Sequence, residues 1–213
     1  MKLLFILTAV ILSASCNNSS NTAKAFCDTT CTSDSFKFSD AHKLNPYVII
    51  SVQNCNADTL TWSHDDLPTQ RQVHVGTFLE KQVRLHKSAI NCFIKDTSYA
   101  WLSFNDCITG RGYLMKLPFS KKESINKMSS ALNSFDKKFA VPDDLRAYAD
   151  YSTIYVVDVN TGNKEQMSFK EELDIDFDSV HDVIDSVNIG RNRIYASLIK
   201  NGKKVPMEKV ISL

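Results

Sequence analysis

The sequence predicts a mainly β protein built from antiparallel hairpins. Short runs rich in β-branched and aromatic residues recur along the chain, polar turn residues separate them, and Asn201-Gly202 joins two such runs near the end. An Asn-Gly pair between apolar runs is the strongest short-range hairpin signal, because both residues accept the positive φ of a tight turn. We therefore expect a hairpin-rich meander that forms a sandwich or an open barrel, with at most one or two short helices.

The first predicted strands lie before residue 105. Residues 46–52 form a β-branched and aromatic run, and residues 59–62 follow after a polar break and complete a hairpin. Polar and apolar side chains alternate over residues 82–86, which is typical of a half-buried strand. Residues 92–94 and 99–104 continue the strand pattern.

One later segment favours a helix. Ile125, Met128, Leu132 and Phe135 recur at helical spacing, and Ser124 precedes them as a candidate cap. The segment is also rich in Ser, Asn and Lys, so an irregular loop is the alternative interpretation.

Strands are predicted again on both sides of this segment. Residues 112–117 precede it, and residues 153–159 and 166–169 follow it, joined by a turn with Gly162 where a positive φ is needed. The Asn-Gly turn joins the runs 193–199 and 204–211. Pro206 lies in the last run and cannot donate to a ladder, so that strand is predicted at a sheet edge or at a bulge.

Three segments share one pattern of an aromatic-containing strand, a turn with Gly and a returning strand. They cover residues 99–119, 153–169 and 193–212, and their starts are 54 and 40 residues apart. Such spacing resembles that of β-propeller blades. Glycine is scarce, with 6 residues, and no Trp-Asp dipeptide occurs. The plain meander is therefore the preferred prediction, and propeller-like blades are the alternative.

The N-terminus has the organisation of a secretory signal peptide. Lys2 is followed by an apolar run over residues 3–12 and by the small residues Ser13, Ala14 and Ser15 before Cys16. The run is shorter than the roughly 20 apolar residues that span a bilayer. We therefore predict that residues 1–15 are a signal peptide and that the chain is exported.

The small residues and Cys16 resemble the lipobox of bacterial lipoproteins. Ser13 stands where Leu is usual, and relaxed lipoboxes of this kind resemble those of the Bacteroidota. This resemblance implies lipidation at Cys16, a flexible tether over residues 16–34 and a single β-rich domain over residues 35–213. The membrane is then a partner through the N-terminal lipid. No acidic residue follows Cys16 before Asp28, which favours the periplasmic face of the outer membrane.

Composition and charge exclude several function classes. The 213 residues are 43% hydrophobic and 23% charged, which is ordinary for a globular protein. Basic and acidic side chains number 25 and 24, and without Lys2 the two counts are equal. A neutral domain offers no electrostatic case for nucleic acid binding.

Cysteines are confined to the first half of the chain. With Cys16 assigned to lipid, an odd number remains for disulfides, so at most two bridges form and one thiol is left over: Cys27, Cys31, Cys55, Cys92 and Cys107. Cys92 and Cys107 flank a predicted strand and could lie near each other. Sequence spacing does not choose among the pairings.

An acidic cluster near residue 180 is the strongest candidate for metal chemistry. Five aspartates occupy an EF-hand-like register: Asp174, Asp176, Asp178, Asp182 and Asp185. Such oxygen ligands suit Ca²⁺, and the sequence predicts no other cofactor. Ser179 replaces the turn glycine, however, and Asp185 replaces the bidentate glutamate. Apolar residues also alternate with the acids, which favours a half-buried strand instead.

The function is predicted as one of two classes. No nucleophile elbow, phosphate-binding loop or metalloprotease motif occurs, and His64 beside Asp65 and Asp66 does not define a working pair. The preferred class is a non-enzymatic, lipid-anchored binding or structural domain for an envelope protein, a peptide or a glycan. Its candidate platform is aromatic: Trp62, Tyr99, Trp101, Tyr113, Tyr155 and Tyr195. The alternative is a hydrolase or metal-dependent enzyme with a site between Asp174 and Asp185.

Overall fold

The computed structural model describes residues 25–169 and 180–213. The predicted fold class is confirmed, because the chain is mainly β and its strands pair as antiparallel meanders with no closed barrel among these residues. The helical elements are short: α1 (Val75–Leu79), a 3₁₀ turn (Lys87–Ala89) and α2 (Val180–Val183). In the part of the chain described, no helix is long and apolar enough to cross a membrane.

The first half of the chain forms two four-stranded sheets, each in chain order. The first sheet contains β1 (Phe36–Ser39), β2 (Tyr47–Gln53), β3 (Asn56–Ser63) and β4 (Arg71–His74). The second sheet contains β5 (Ile90–Lys95), β6 (Tyr99–Asn105), β7 (Gly112–Pro118) and β8 (Asn126–Met128).

The second half forms two further four-stranded sheets. The third sheet contains β9 (Ala131–Leu132), β11 (Leu145–Asp150), β12 (Thr153–Asp158) and β13 (Lys164–Ser168). The fourth contains β10 (Phe139–Ala140), β14 (Ile184–Gly190), β15 (Arg193–Lys200) and β16 (Lys203–Val210). Strand β10 pairs in parallel with β14, so the chain crosses to the fourth sheet between β9 and β11.

The four sheets stack in chain order around three buried clusters. One cluster lies between the first and second sheets, another between the third and fourth, and a smaller one between the second and third. Each sheet has the strand number of a propeller blade. Among the described residues, however, no buried cluster joins the first sheet to the fourth. The arrangement is an open stack in which β6, β7 and β11 are buried on both faces.

The turn predictions are confirmed. Asn201 and Gly202 have φ values of 50° and 72° and connect β15 to β16, while Gly162 has a φ of 79° between β12 and β13. Pro206 lies on β16, an edge strand of the fourth sheet, opposite Ser197.

The predicted helix over residues 125–135 is wrong. The segment contains the short strands β8 and β9, and its apolar side chains serve different layers. Ile125 packs on the first cluster, Met128 on the cluster between the second and third sheets, and Leu132 between the third and fourth. Helical spacing of apolar residues therefore reflects three separate contacts here, not one buried face.

The predicted strand over residues 82–86 is also wrong. Arg84 makes a single bridge to Asn56, and no ladder follows. Val83 and Leu85 are buried in the first cluster, which explains the alternation. The alternation therefore marks a connecting segment that buries every second side chain, not a paired strand.

Two disulfides fasten the N-terminal segment to the first two sheets. Cys27 pairs with Cys107 and Cys31 pairs with Cys55, which leaves Cys92 free. The suggested proximity of Cys92 to Cys107 therefore produces no bridge. Residues 25–34, the described part of the predicted tether, are held against the domain by these bonds.

Candidate functional site

The layer between the second and third sheets contains several polar side chains beside its apolar residues. Alternation on β6 points Ala100, Leu102 and Phe104 into the first cluster, so the remaining side chains of β6 turn toward the third sheet. On β11, Leu145 and Ala147 contribute to the cluster with the fourth sheet. Arg146 and Tyr148, on the opposite face of β11, turn toward the second sheet.

A cavity of about 50 Å³ lies in this layer. Its wall includes apolar residues of both sheets and six polar residues: Asn91, Ser103, Asn133, Ser134, Asp143 and Arg146. A water needs roughly 10–15 Å³ of such space, so the cavity holds a few waters or a small polar group. The loop between β9 and β11 completes the wall and includes Asp143 at its rim.

Arg146 is the buried charged residue of the cavity, and only 7% of its surface is exposed. Nη1 donates to the carbonyl oxygens of Asp143 and Leu145 at 2.7 and 2.8 Å. Nη2 makes a long contact of 3.4 Å to Oδ1 of Asn91, and Nε has no partner among the described residues. Burial lowers the pKa of Arg146, while the charge of Asp143 opposes that shift. No ion pair joins Arg146 to a described carboxylate, so this buried charge lacks the partner it needs.

Asn133 carries a second unsatisfied atom in the same cavity. Nδ2 of Asn105 donates to the carbonyl oxygen of Gly110 at 2.9 Å, so Oδ1 of Asn105 must act as an acceptor. Nδ2 of Asn133 donates to that Oδ1 at 2.7 Å. The chain of bonds fixes the orientation of both amides and leaves Oδ1 of Asn133 buried without a donor.

Cys92 lies close enough to Arg146 to sense its charge. Burial raises the pKa of the thiol to about 12, and the positive charge of Arg146 offsets only part of this shift. The thiol is therefore protonated at neutral pH and is a poor nucleophile.

Aromatic rings and lysines occupy another part of the layer. Lys116 lies 4.4 Å from the ring centroid of Tyr99 and 5.9 Å from that of Trp101. Lys164 lies 4.0 Å from the ring centroid of Tyr155 and donates to the hydroxyl of Tyr148 at 2.7 Å. Lysines of the chain itself therefore contact these ring faces by cation–π interactions.

The predicted aromatic platform is not one surface. Trp62 and Tyr113 are core residues of the first cluster, and Nε1 of Trp62 donates to the carbonyl oxygen of Pro118 at 2.9 Å. Tyr195 lies on β15 in the fourth sheet. Of the six aromatics, the structure brings together only Tyr99, Trp101 and Tyr155.

The acidic cluster is described only in part. Asp174, Asp176 and Asp178 lie outside the described residues. Asp182 is exposed on α2, and Asp185 on β14 forms an ion pair with Lys204 at 2.9 Å. Within residues 25–169 and 180–213, no three His, Cys, Asp or Glu side chains are grouped to hold a metal ion. Calcium binding by the whole register stays a prediction.

His64 and its acidic neighbours do not converge. The His64 ring packs edge-on against Phe119 at 5.5 Å, whereas Asp65 accepts a hydrogen bond from Asn45 at 2.7 Å. Cys16, the predicted lipidation site, lies outside the described residues.

The sequence contained little sign of the Arg146 cavity. Arg146 stands between Leu145 and Ala147 in a run that looks like a strand with one solvated face. Only the stacking of the second sheet onto β11 shows that both faces are buried.

Comparison with protein-family models, curated proteins and solved structures finds no significant match to this chain. The function is therefore inferred from the chemistry of its own residues.

Proposed function

We propose that this chain is an exported, lipid-anchored binding protein that holds its ligand without chemical change. The observation that carries the proposal is the cavity between the second and third sheets, where Nε of the buried Arg146 and Oδ1 of Asn133 have no hydrogen-bond partner among the described residues. Buried polar groups are nearly always satisfied by protein, water or ligand. A cavity with two such groups is suited to receive a polar ligand.

The lining of the cavity favours binding over hydrolysis. Of the described residues that line it, Asp143 alone is acidic and none is a histidine or a cysteine. Asp143 is exposed at the rim. A hydroxyl nucleophile such as Ser103 needs a base within hydrogen-bond reach, and the described part of this wall supplies no histidine for that role.

Two features support export and anchoring. The signal-like N-terminus ends at Cys16 in a relaxed lipobox, and two disulfides staple the segment that follows. Disulfides persist in oxidising compartments such as the periplasm. We place the protein at the outer membrane facing the periplasm, with an envelope peptide, glycan or protein as the source of its ligand.

Fractionation combined with ligand recovery tests this proposal. The native chain should sediment with membranes, and Cys16→Ser should move to the soluble fraction because it lacks the acylated thiol. Cys92→Ser is the matched control and should stay with the membranes. The soluble Cys16→Ser protein is then incubated with envelope peptides and glycans. Mass spectrometry of the compounds released from it should find each of them chemically unchanged.

Two results would contradict the proposal. If Cys16→Ser stays with the membranes, the predicted lipid anchor at Cys16 is ruled out. If a bound compound is cleaved over time, the proposal of a non-enzymatic function is ruled out and the hydrolase alternative is favoured.

A further inference from the structure

We infer that the cavity between the second and third sheets binds a carboxylate group with an N–H donor beside it, as in an N-acylated amino acid. This inference rests on the proposed binding function and specifies the chemistry of its ligand. It follows from the two unsatisfied atoms of the cavity, one a cationic donor and the other a neutral acceptor.

The free edge of Arg146 has the shape that a carboxylate requires. Nε–H and Nη2–H point to the same side of a guanidinium and form a planar fork that matches two carboxylate oxygens. Nη1, outside this fork, is already held by two backbone carbonyls. Nε is unpartnered, and the 3.4 Å contact from Nη2 to Asn91 is long for a hydrogen bond. A charged acceptor would displace the Asn91 contact, because charge-assisted bonds are stronger than neutral ones.

Asn133 adds the requirement for a donor. Its Nδ2 is committed to Asn105, and the bond from Asn105 to Gly110 prevents either amide from being reversed. Oδ1 of Asn133 therefore has no donor among the described residues and is available to a group that enters the cavity. An N–H close to the carboxylate satisfies this atom without bringing in a second charge.

The size of the cavity limits how much of the ligand enters. A volume of about 50 Å³ admits a carboxylate and its neighbouring N–H, and the remainder of the ligand extends past the rim. Free N-acyl amino acids and the C-terminal residue of a peptide both present this chemistry.

Isothermal titration calorimetry with four small probes tests the inference on the soluble Cys16→Ser chain. N-acetylglycine carries both groups, N-acetylglycinamide lacks the carboxylate, and N-acetylsarcosine lacks the N–H. N-acetylglycine should bind most tightly. Loss of the carboxylate should weaken binding roughly tenfold or more, and loss of the N–H roughly threefold to tenfold. The fourth probe, glycylglycine, is a free peptide C-terminus, and its affinity relative to N-acetylglycine distinguishes the two sources.

Variants assign the binding to the cavity. Arg146→Gln should abolish the preference for N-acetylglycine over N-acetylglycinamide. Arg193→Gln is the matched control, since Arg193 lies on the fourth sheet beside Glu208 and should leave the preference unchanged. If Arg146→Gln does not fold, the ¹⁵N-labelled Arg146 Nε–H resonance of the otherwise unchanged chain should shift with N-acetylglycine and not with N-acetylglycinamide.

The outcomes separate this inference from the proposed function. Equal affinity for N-acetylglycine and N-acetylglycinamide, or an Arg146 resonance that none of the probes moves, overturns the carboxylate inference. In that case binding of an uncharged glycan would leave the proposed function standing. Hydrolysis of N-acetylglycine by the chain would instead overturn the proposed function.

Discussion

Replacing Gly112 with alanine tests how closely the second and third sheets must approach each other. A Cβ at Gly112 would overlap the carbonyl oxygen of Ala131 and would lie 3.1 Å from its carbonyl carbon. Gly112 begins β7, and Ala131 begins β9 in the neighbouring sheet. Because the overlapped atom belongs to the backbone of a paired strand, no side-chain rotation relieves the clash.

The expected loss of stability follows from this overlap. The sheets would have to separate by roughly 1 Å to restore an ordinary contact, which removes dispersion contacts along the whole layer. Overpacking of a core costs typically about 1–3 kcal/mol, and a backbone clash lies at the upper end of that range. We expect a loss of about 3 kcal/mol, which corresponds to a decrease in Tm of roughly 6–12 °C for a chain of this size.

Urea unfolding followed by tryptophan fluorescence measures this loss. Trp101 is buried in the affected layer and reports on it directly. Gly190→Ala is the matched control, since a Cβ there would meet only the side chain of Asn192 at 3.6 Å. Its stability should change by no more than about 1 kcal/mol. Equal unfolding midpoints for the two variants would show that the sheets do not need the close approach at Gly112.

Two further predictions concern the bonds that hold the layers together. Asp158 is 1% exposed, and its carboxylate accepts a hydrogen bond from Arg191 at 2.7 Å. Burial raises the pKa of Asp158, but hydrogen bonds from Arg191 and from two backbone amides bring this pKa below its ordinary value. Asp158→Asn should cost about 2–3 kcal/mol at pH 7. This deficit should begin to shrink as the pH falls below the ordinary aspartate pKa of 3.8, where the unfolded chain takes up the proton before the folded one does, and it should reach its minimum only below the lower pKa of the folded protein. A pH-independent deficit would contradict the assignment. The Cys27–Cys107 disulfide closes a separation of 80 residues, and the Cys31–Cys55 disulfide closes one of 24. Replacing each bridge with a pair of serines should lower the free energy of unfolding, measured by calorimetry, by about 4.5 and about 3.5 kcal/mol respectively. The reverse order would refute the chain-entropy reasoning.

Local patterns predicted the strands and turns because each depends on neighbouring residues. The hairpin between β15 and β16 follows from two residues that accept a positive φ. Pro206 was placed at a sheet edge because it lacks an N–H. These properties hold wherever the hairpin lies in the molecule.

The same reasoning failed where one segment contacts several layers. Ile125, Met128 and Leu132 match a helical period only because each packs on a different cluster. Periodicity analysis assumes a single buried face, and this connection between two sheets has none. β11 was not predicted either, and its burial on both faces depends on strands that are distant in the sequence.

By itself, the sequence determined the mainly β class, the tight turns and the presence of an odd number of thiols after Cys16. The tertiary structure decided which cysteines pair, how the four sheets stack, and that Arg146 and Asn133 share a buried cavity. Backbone conformation is set largely by adjacent residues, whereas burial depends on which distant strand covers a side chain. The local sequence around Arg146 therefore predicts a solvent-exposed side chain. Only the packing of the second sheet against the third makes Arg146 a buried cation without an ion-pair partner among the described residues.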